Sequence, residues 1–140
     1  MSRVGAPEAV PKILVIEDDG PLRNVLRDTL LIDGHEVSEA STGREGVERF
    51  GIDPPALVVV DLALPDLHGW ETLREIRRRT PEVPFIVMSG GGLLEGLQPG
   101  RRGVLDSSSP AQYRLLRKPF PLEVFTETVR DLLARAADGS

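Results

Sequence analysis

The chain has 140 residues, of which 40% are hydrophobic and 28% are charged, and its formal net charge is −5. These values predict one globular domain that can bury a core, and they give no electrostatic basis for direct nucleic-acid binding. The sequence contains no cysteine, which excludes disulfides, thiolate metal sites and a cysteine nucleophile. It has no apolar run close to the roughly 20 residues of a membrane span and no apolar signal core at its start, so we expect a cytoplasmic protein without membrane contact.

Short β-branched runs alternate with stretches of helical spacing along the chain. The predicted strands are residues 13–16, 35–40, 56–60, 85–88 and 113–117. The predicted helices begin near residues 20, 41, 69 and 121, and Thr42 with Glu45 predicts a capping box at the second of them. Strands that alternate with helices through short connections predict βαβ units and a parallel sheet.

Residues 90–112 interrupt this alternation. The stretch begins with three consecutive glycines and contains a Pro-Gly pair and a polar run. Because each glycine costs about 1 kcal/mol in a helix relative to alanine, we expect mostly irregular, mobile backbone there. We also expect a flexible N-terminal extension over residues 1–11 and a frayed tail over residues 137–140, on either side of a domain spanning residues 12–136.

Polar side chains follow four of the five predicted strands. Glu17 and Asp18 follow the first strand, and Asp61 follows the third. Ser89 follows the fourth and Lys118 the fifth, whereas the second strand contributes no such group, as expected at the margin of a sheet. Because the carboxyl ends of parallel strands share one edge, which is where open α/β sheets bind ligands, we expect these side chains to lie together.

The chemistry of this set follows from its charge. Three carboxylates in close proximity repel one another, so the set calls for a hard divalent cation, and oxygen ligands in small number suit Mg²⁺. A carboxylate can attack phosphorus and form an aspartyl phosphate. The metal and Lys118 would then neutralise the phosphoryl oxygens, and the hydroxyl of Ser89 can donate to a third oxygen.

Four motifs, ILVIEDD, VVVDLALPDLHGWE, FIVMSG and LLRKPF, resemble in this order the response-regulator receiver domain of two-component signalling. The resemblance covers roughly residues 12–135. It implies a flavodoxin-like, doubly wound α/β fold with a five-stranded parallel sheet, in the order 2-1-3-4-5, and helices on both faces. The fourth helix of that fold would fall within residues 90–112, where we expect it to be degenerate or disordered.

The resemblance also implies roles for individual residues. Asp61 matches the phosphoacceptor and a metal ligand, and Asp18 matches the acidic residue that binds Mg²⁺ directly. Glu17 matches its neighbour, which acts on the metal through water, and Ala63 matches the position whose backbone carbonyl completes the protein ligands.

Ser89 matches the hydroxyl switch residue of the family, and Lys118 matches its lysine. The bond between Lys118 and Pro119 is expected to be cis, as in relatives. Asp19 has no ligand role in the family, and we interpret it as a favourable negative charge at a helix N-terminus.

The implied phosphoryl donor is a sensor histidine kinase or a histidine phosphotransfer protein. The implied output is a downstream protein target or an output domain absent from this chain, without direct nucleic-acid contact. Only a few residues follow the last predicted helix, so the chain is either a stand-alone receiver or part of a longer protein.

The sequence departs from the family at two places. Relatives often carry tyrosine or phenylalanine three residues before the lysine, where this chain has Leu115. Tyr113 is a candidate for a displaced switch, although a packing role is favoured. The stretch between Ser89 and Lys118 is longer than usual, which suggests two alternatives. Either phosphorylation orders a mobile segment there, or the stretch is a tolerated loop insertion.

Two other functions compete with the phosphoacceptor hypothesis. A pseudo-receiver would keep the fold and signal without phosphorylation. Leu115 and the altered fourth-helix stretch argue for it, and the evidence against it is the intact set of Glu17, Asp18, Asp61, Ser89 and Lys118. A phosphatase of the haloacid-dehalogenase type would require an acidic residue two positions after the nucleophile. That position is Ala63, which cannot transfer a proton.

Overall fold

The computed structural model describes residues 10–64, 66, 69–90 and 113–138. The strands in these residues are β1 (Lys12–Ile16), β2 (Glu36–Ala40), β3 (Leu57–Asp61), β4 (Phe85–Ser89) and β5 (Tyr113–Arg117). The helices are α1 (Gly20–Ile32), α2 (Gly43–Ile52), α3 (Gly69–Arg79) and α4 (Leu122–Asp138). None of these helices is long and apolar enough to cross a membrane.

The strands form one parallel sheet in the order β2-β1-β3-β4-β5. Ile16 at the end of β1 lies opposite both Ala40 and Val60. Asp61 at the end of β3 lies opposite Met88. The carboxyl ends of the strands are therefore nearly level, and the predicted fold class and strand order are confirmed.

Helices cover both faces of the sheet. Val58 and Val60 of β3 belong to a core that includes residues of α2 and α3, whereas Leu57 and Val59 belong to a core with residues of α1 and α4. Every residue of β3 and β4 is buried. Burial on both faces explains why these strands have unbroken apolar sequences rather than alternating ones.

The second helix, α2, is positioned by one close contact and by its N-terminal cap. A Cβ atom on Gly46 would lie 2.4 Å from Cδ1 of Ile16, so glycine allows α2 to approach β1. The hydroxyl of Thr42 accepts from the backbone N–H of Glu45 at 3.0 Å, as the predicted capping box requires. The carboxylate of Glu45 accepts from the backbone N–H of Ser41 at 2.8 Å, one residue earlier than in the usual box.

The predicted boundaries agree with the structure to within a residue or two. The differences that matter are at the carboxyl ends of the sheet, where β3 includes Asp61 and β4 includes Ser89, so both side chains belong to strands rather than to loops. The last helix continues to Asp138, past the domain boundary predicted at residue 136.

Several predictions concern residues outside the described ranges. They are the irregular backbone over residues 91–112, the missing helix of the family in that stretch, and the ordering of the stretch on phosphorylation. The flexible extension predicted for residues 1–9 and the end of the predicted tail at residues 139–140 also lie outside the described part of the chain.

Candidate functional site

Three carboxylates meet at the carboxyl edge of the sheet. Glu17 and Asp18 directly follow β1, and Asp61 is the last residue of β3. Each of them offers a carboxylate oxygen within 4.8 Å of the other two. Glu17 and Asp61 are buried, whereas Asp18 is exposed. The sequence prediction that β1 and β3 deliver acidic side chains to one point is therefore confirmed as geometry.

Lys118 brings a positive charge to the same point. Its Nζ donates to Oε1 of Glu17 at 2.9 Å and to Oδ2 of Asp61 at 2.7 Å. Its backbone N–H donates to the carbonyl of Ser89 at 2.7 Å, which fixes the end of β5 against the end of β4. The bond between Lys118 and Pro119 is cis, as predicted.

The protonation of this group reflects its burial. Desolvation and a hydrogen bond with Asp61 raise the pKa of Glu17 to about 7, against the opposing effect of Lys118. Burial lowers the pKa of Lys118, but its hydrogen bonds with Asp61 and Glu17 outweigh burial and the net shift is upward. The upward pKa shift keeps Lys118 charged at neutral pH, whereas burial, as the largest cause, raises the pKa of Glu17 and favours its protonated form.

The donor set fits a hard divalent cation. The candidate ligand atoms are carboxylate oxygens, which Mg²⁺ prefers, and the exposure of Asp18 leaves water access on one side. The backbone N–H of Ala63 donates to Oδ1 of Asp61 at 3.0 Å, so Ala63 lies beside the phosphoacceptor candidate. Glu17, Asp18 and Asp61 are thus the groups that could hold such an ion, and the backbone ligand expected at Ala63 stays a prediction.

Ser89 lies at the same edge but does not join the acidic cluster directly. It is buried and follows Met88, the residue opposite Asp61 in the sheet. Its hydroxyl donates to the carbonyl of Gly90 at 3.4 Å, a long and therefore weak hydrogen bond. The hydroxyl can therefore rotate away from this partner at little cost.

Arg23 supports the candidate site, although the sequence did not predict this contact. Its Nη1 donates to the backbone carbonyl of Glu17 at 2.7 Å, and its Nε donates to Glu39 at 3.1 Å. Arg23 lies in the first turn of α1, and from there it links the end of β1 to β2. The only signal in the sequence was an arginine within the first turn of a helix that follows an acidic run.

Asp19 lies at the N-terminus of α1, where the sequence predicted a favourable negative charge, and it also caps the helix. Its carboxylate accepts from the backbone N–H of Leu22 at 3.1 Å, so Asp19 is the N-cap of α1. Its own backbone N–H donates to Oε2 of Glu17 at 3.1 Å. Asp19 therefore supports Glu17 through its main chain and is not itself part of the carboxylate cluster.

The loop between β3 and α3 is held at both ends by contacts that the sequence did not reveal. A Cβ atom on Gly69 would lie 2.4 Å from the carbonyl oxygen of Asp61, so α3 can begin this close to Asp61 only with glycine at its first position. The backbone N–H of Gly69 donates to the carbonyl of Leu62 at 3.0 Å. Asp66 within this loop accepts hydrogen bonds from the first turn of α2.

Tyr113 packs far from the site. It lies opposite Phe85 at the start of β4, and the two rings stack with their centroids 5.8 Å apart. Ser89 is four residues further along β4, or about 13 Å at 3.3 Å per residue. The packing role predicted for Tyr113 is confirmed, and Leu115 between these two levels is partly exposed.

A family model for the response regulator receiver domain matches residues 13–106. Response regulator MprA of Mycolicibacterium vanbaalenii is 32% identical over 124 residues, which cover 89% of this chain and 51% of the relative. The C4-dicarboxylate transport transcriptional regulatory protein DctD of Pseudomonas aeruginosa is 31% identical over 133 residues, which cover 95% of this chain and 27% of the relative. The chain therefore spans about half the length of these curated relatives or less.

Solved structures agree with this assignment. A response regulator receiver domain protein of Clostridium thermocellum is 28% identical with a TM-score of 0.80, and the alignment covers 94% of this chain and 100% of that one. A CheY-like receiver domain protein of Methanospirillum hungatei has a TM-score of 0.82 at the same coverage, and at 21% identity it supports the fold alone. The chain therefore belongs to the response regulator receiver domain family of two-component systems, whose members are signalling domains rather than classical enzymes.

Proposed function

We propose that this receiver accepts a phosphoryl group on Asp61 from a phosphohistidine donor in a Mg²⁺-dependent reaction, and that phosphorylation switches its binding to a protein partner. The observation that carries the proposal is the position of Asp61. It is a buried carboxylate within an acidic cluster, and the ammonium group of Lys118 lies 2.7 Å from its Oδ2. A carboxylate alone at a strand end would have no such counter-charge for the phosphoryl oxygens.

The reaction assigns one task to each residue. The carboxylate of Asp61 attacks phosphorus, the new O–P bond forms as the P–N bond of phosphohistidine breaks, and the released imidazole takes a proton from solvent. Lys118 remains protonated and neutralises a phosphoryl oxygen, and the hydroxyl of Ser89 donates to another. When bound by Glu17, Asp18, Asp61 and the carbonyl of Ala63, Mg²⁺ would supply the remaining positive charge.

The proposed partners follow from the family. The donor is a sensor histidine kinase or a histidine phosphotransfer protein. The receiver of the signal is a downstream protein or an output domain outside this chain, which is consistent with curated relatives of about twice its length or more. We propose residues 12–136 as the receiver, with residues 1–11 and 137–140 as its flanking segments, acting in the cytoplasm without direct contact to nucleic acid or membrane.

Phosphorylation can be tested by mass. The protein is incubated with Mg²⁺ and acetyl phosphate, or with a phosphorylated histidine kinase, and its intact mass is measured. We expect one phosphoryl adduct that hydroxylamine removes, because acyl phosphates react with this nucleophile. Asp61→Asn, which keeps the shape of the side chain, should give no adduct, and omission of Mg²⁺ should abolish the adduct on the unmodified protein.

A pseudo-receiver is the second candidate, and Leu115 is the observation that favours it. This partly exposed aliphatic side chain occupies the position at which relatives often carry an aromatic switch residue. A pseudo-receiver would give no adduct with either donor. The same mass measurement therefore separates the two functions.

A further inference from the structure

Asp66 makes a contact that the proposed phosphoryl transfer leaves unexplained. It lies five residues after Asp61, in the loop between β3 and α3. Its Oδ1 accepts from the backbone N–H of Gly43 at 2.8 Å, and its Oδ2 accepts from the backbone N–H of Arg44 at 3.0 Å. Its side chain is 25% exposed, so the contact is partly shielded from water. Hydrogen bonds from a helix N-terminus to a carboxylate are charge-assisted and follow the helix dipole.

The first turn of α2 has two donors that the local sequence does not satisfy. The first four N–H groups of a helix have no partner within the helix ladder. In α2 the N–H of Glu45 donates to the hydroxyl of Thr42, and the N–H of Gly46 begins the helix ladder by donating to the carbonyl of Thr42. The first two belong to Gly43 and Arg44, and Asp66 accepts from both. The cap of α2 is thus completed by a residue from the loop that follows the phosphoacceptor.

Other anchors of this loop lie nearer its ends. The backbone N–H of Leu62 donates to the carbonyl of Met88 at 3.0 Å, and Leu64 is buried in the core between the sheet and α2. At the far end, the backbone N–H of Gly69 donates to the carbonyl of Leu62. Asp66 adds a further restraint within the loop, and this restraint ties the loop to the start of α2.

Ala63 lies inside the restrained stretch. Its backbone N–H donates to Oδ1 of Asp61, and its carbonyl is the proposed backbone ligand of the metal. We propose that Asp66 is a positioning residue, which ties the loop to the start of α2 and so holds the Ala63 peptide against Asp61 in the orientation that binds the divalent cation. This inference rests on the proposed metal site and extends it to a residue that would touch neither metal nor phosphate.

The test compares two variants that remove caps from the same helix end. Asp66→Ala removes the loop contact, whereas Thr42→Ala removes the local cap and leaves the loop contact in place. Mg²⁺ affinity is measured by calorimetry on the full chain, with circular dichroism as a check on folding. We expect Asp66→Ala to weaken Mg²⁺ binding about 10-fold, as is typical for residues that orient metal ligands. Thr42→Ala should leave Mg²⁺ affinity unchanged, and Asp66→Asn, which keeps one acceptor oxygen, should be intermediate.

A second measurement does not depend on the metal. Residue-resolved amide hydrogen exchange of the metal-free protein reports on the bond from Ala63 to Asp61. We expect Asp66→Ala to lose protection at the Ala63 amide and Thr42→Ala to retain it. If Ala63 protection is the same in both variants, or if both weaken Mg²⁺ equally, Asp66 is only a helix cap and the proposal is overturned.

The outcomes for Asp66 and for phosphorylation can be separated. A protein that binds Mg²⁺ in an Asp66-dependent manner but acquires no phosphoryl adduct would overturn the proposed function and support the positioning role. If the unmodified protein and Asp66→Ala are phosphorylated equally fast and bind Mg²⁺ equally well, the proposed function is supported and the positioning role of Asp66 is overturned. If the unmodified protein binds no Mg²⁺, the metal-positioning role is overturned, and the exchange of the Ala63 amide then reports only whether Asp66 holds the Ala63 peptide in place.

Discussion

The only two lysines of the chain are placed at opposite ends of the sheet, and each contacts two carboxylates. Lys12 begins β1 and pairs with Glu36 and Asp53, whose side chains are 61% and 56% exposed. Lys118 follows β5 and pairs with Glu17 and Asp61, whose side chains are 0% and 5% exposed. The two lysines themselves are similarly exposed, so burial of the acidic partners is what distinguishes the two groups.

This difference in burial distinguishes a surface contact at Lys12 from the candidate site at Lys118. Exposed ion pairs are screened by water and contribute little to stability. Buried carboxylates lose their hydration, so their charge must be balanced by a lysine, a proton or a metal ion. The raised pKa of Glu17 at the Lys118 end is the signature of this imbalance. The proposed functional site therefore lies at the end of the sheet where the carboxylates are buried, and the Lys12 end provides a control.

The largest expected effect is on phosphorylation when each lysine is replaced in turn. Lys118→Met should slow the formation of the Asp61 adduct by about 100-fold to 1,000-fold, because it removes a positive charge aimed at the transferred group. Lys12→Met should leave the rate unchanged, since Lys12 lies at the other end of β1. Rates follow from intact mass over time with acetyl phosphate and Mg²⁺. Equal rates in the two variants would contradict the proposal that Lys118, and not Lys12, takes part in phosphorylation of Asp61.

A second prediction concerns the pH dependence of stability without metal. The folded-state pKa of Glu17 is about 7, above the ordinary glutamate value of 4.5. As pH rises from about 4.5 to about 7, the unfolded state releases this proton first, so the contribution of Glu17 to stability is lost over that window. Glu17→Gln cannot titrate. We therefore expect the unmodified protein to lose stability relative to Glu17→Gln between these pH values in denaturant titrations.

Glu36 provides the matched control for this measurement. It contacts Lys12 as Glu17 contacts Lys118, but it is exposed. Glu36→Gln should show no comparable pH-dependent difference from the unmodified protein. A constant difference between Glu17→Gln and the unmodified protein across the window from about 4.5 to about 7 would mean that Glu17 is ionised in the folded state.

A smaller effect is expected from glycine substitutions at the two ends of the sheet. A Cβ on Gly69 would lie 2.4 Å from the carbonyl oxygen of Asp61 and 2.6 Å from Cα of Leu62, so backbone must move. We expect Gly69→Ala to destabilise the fold by about 1–3 kcal/mol and to weaken Mg²⁺ binding. Thermal unfolding with and without Mg²⁺ measures both effects.

Gly51 near the end of α2 is the control for Gly69. A Cβ there would meet only the end of the Arg79 side chain, at 3.2 Å, and this flexible group can shift. Because alanine is favoured over glycine in a helix, Gly51→Ala should be neutral or stabilising by up to about 1 kcal/mol. If Gly69→Ala were equally harmless, the close approach of α3 to the site would not constrain the loop.

The elements of the fold were predictable because their signals are local. Residues of β3 form an unbroken apolar run that ends at Asp61, and burial on both faces of a parallel sheet requires such a run. Asp19 and Thr42 are typical N-cap residues, and both cap the helices that follow them. Local signals do not determine which strands lie side by side. The strand order was instead implied by the resemblance of four motifs to a family, and the structure confirms it.

The candidate site was predictable in part. Glu17, Asp18, Asp61, Ser89 and Lys118 were identified because each follows or ends a strand, and parallel strands bring such positions to one edge. The contacts of Arg23 with Glu17 and of Asp66 with α2 were missed because the partner in each case is a backbone group of another part of the chain. A backbone carbonyl or N–H has no signature in the amino-acid sequence, so such contacts become visible only when the elements are packed.

The sequence by itself determined which residues reach the carboxyl edge, since strand ends and residue types are local properties. Only the tertiary structure decided their distances and protonation. Lys118 contacts Glu17 across 101 positions of sequence, and Asp66 contacts Gly43 across 23. The pKa of Glu17 depends on desolvation, which arises from packing of the whole domain around it. Positions at the ends of strands therefore predicted the members of the candidate site, and burial determined their protonation.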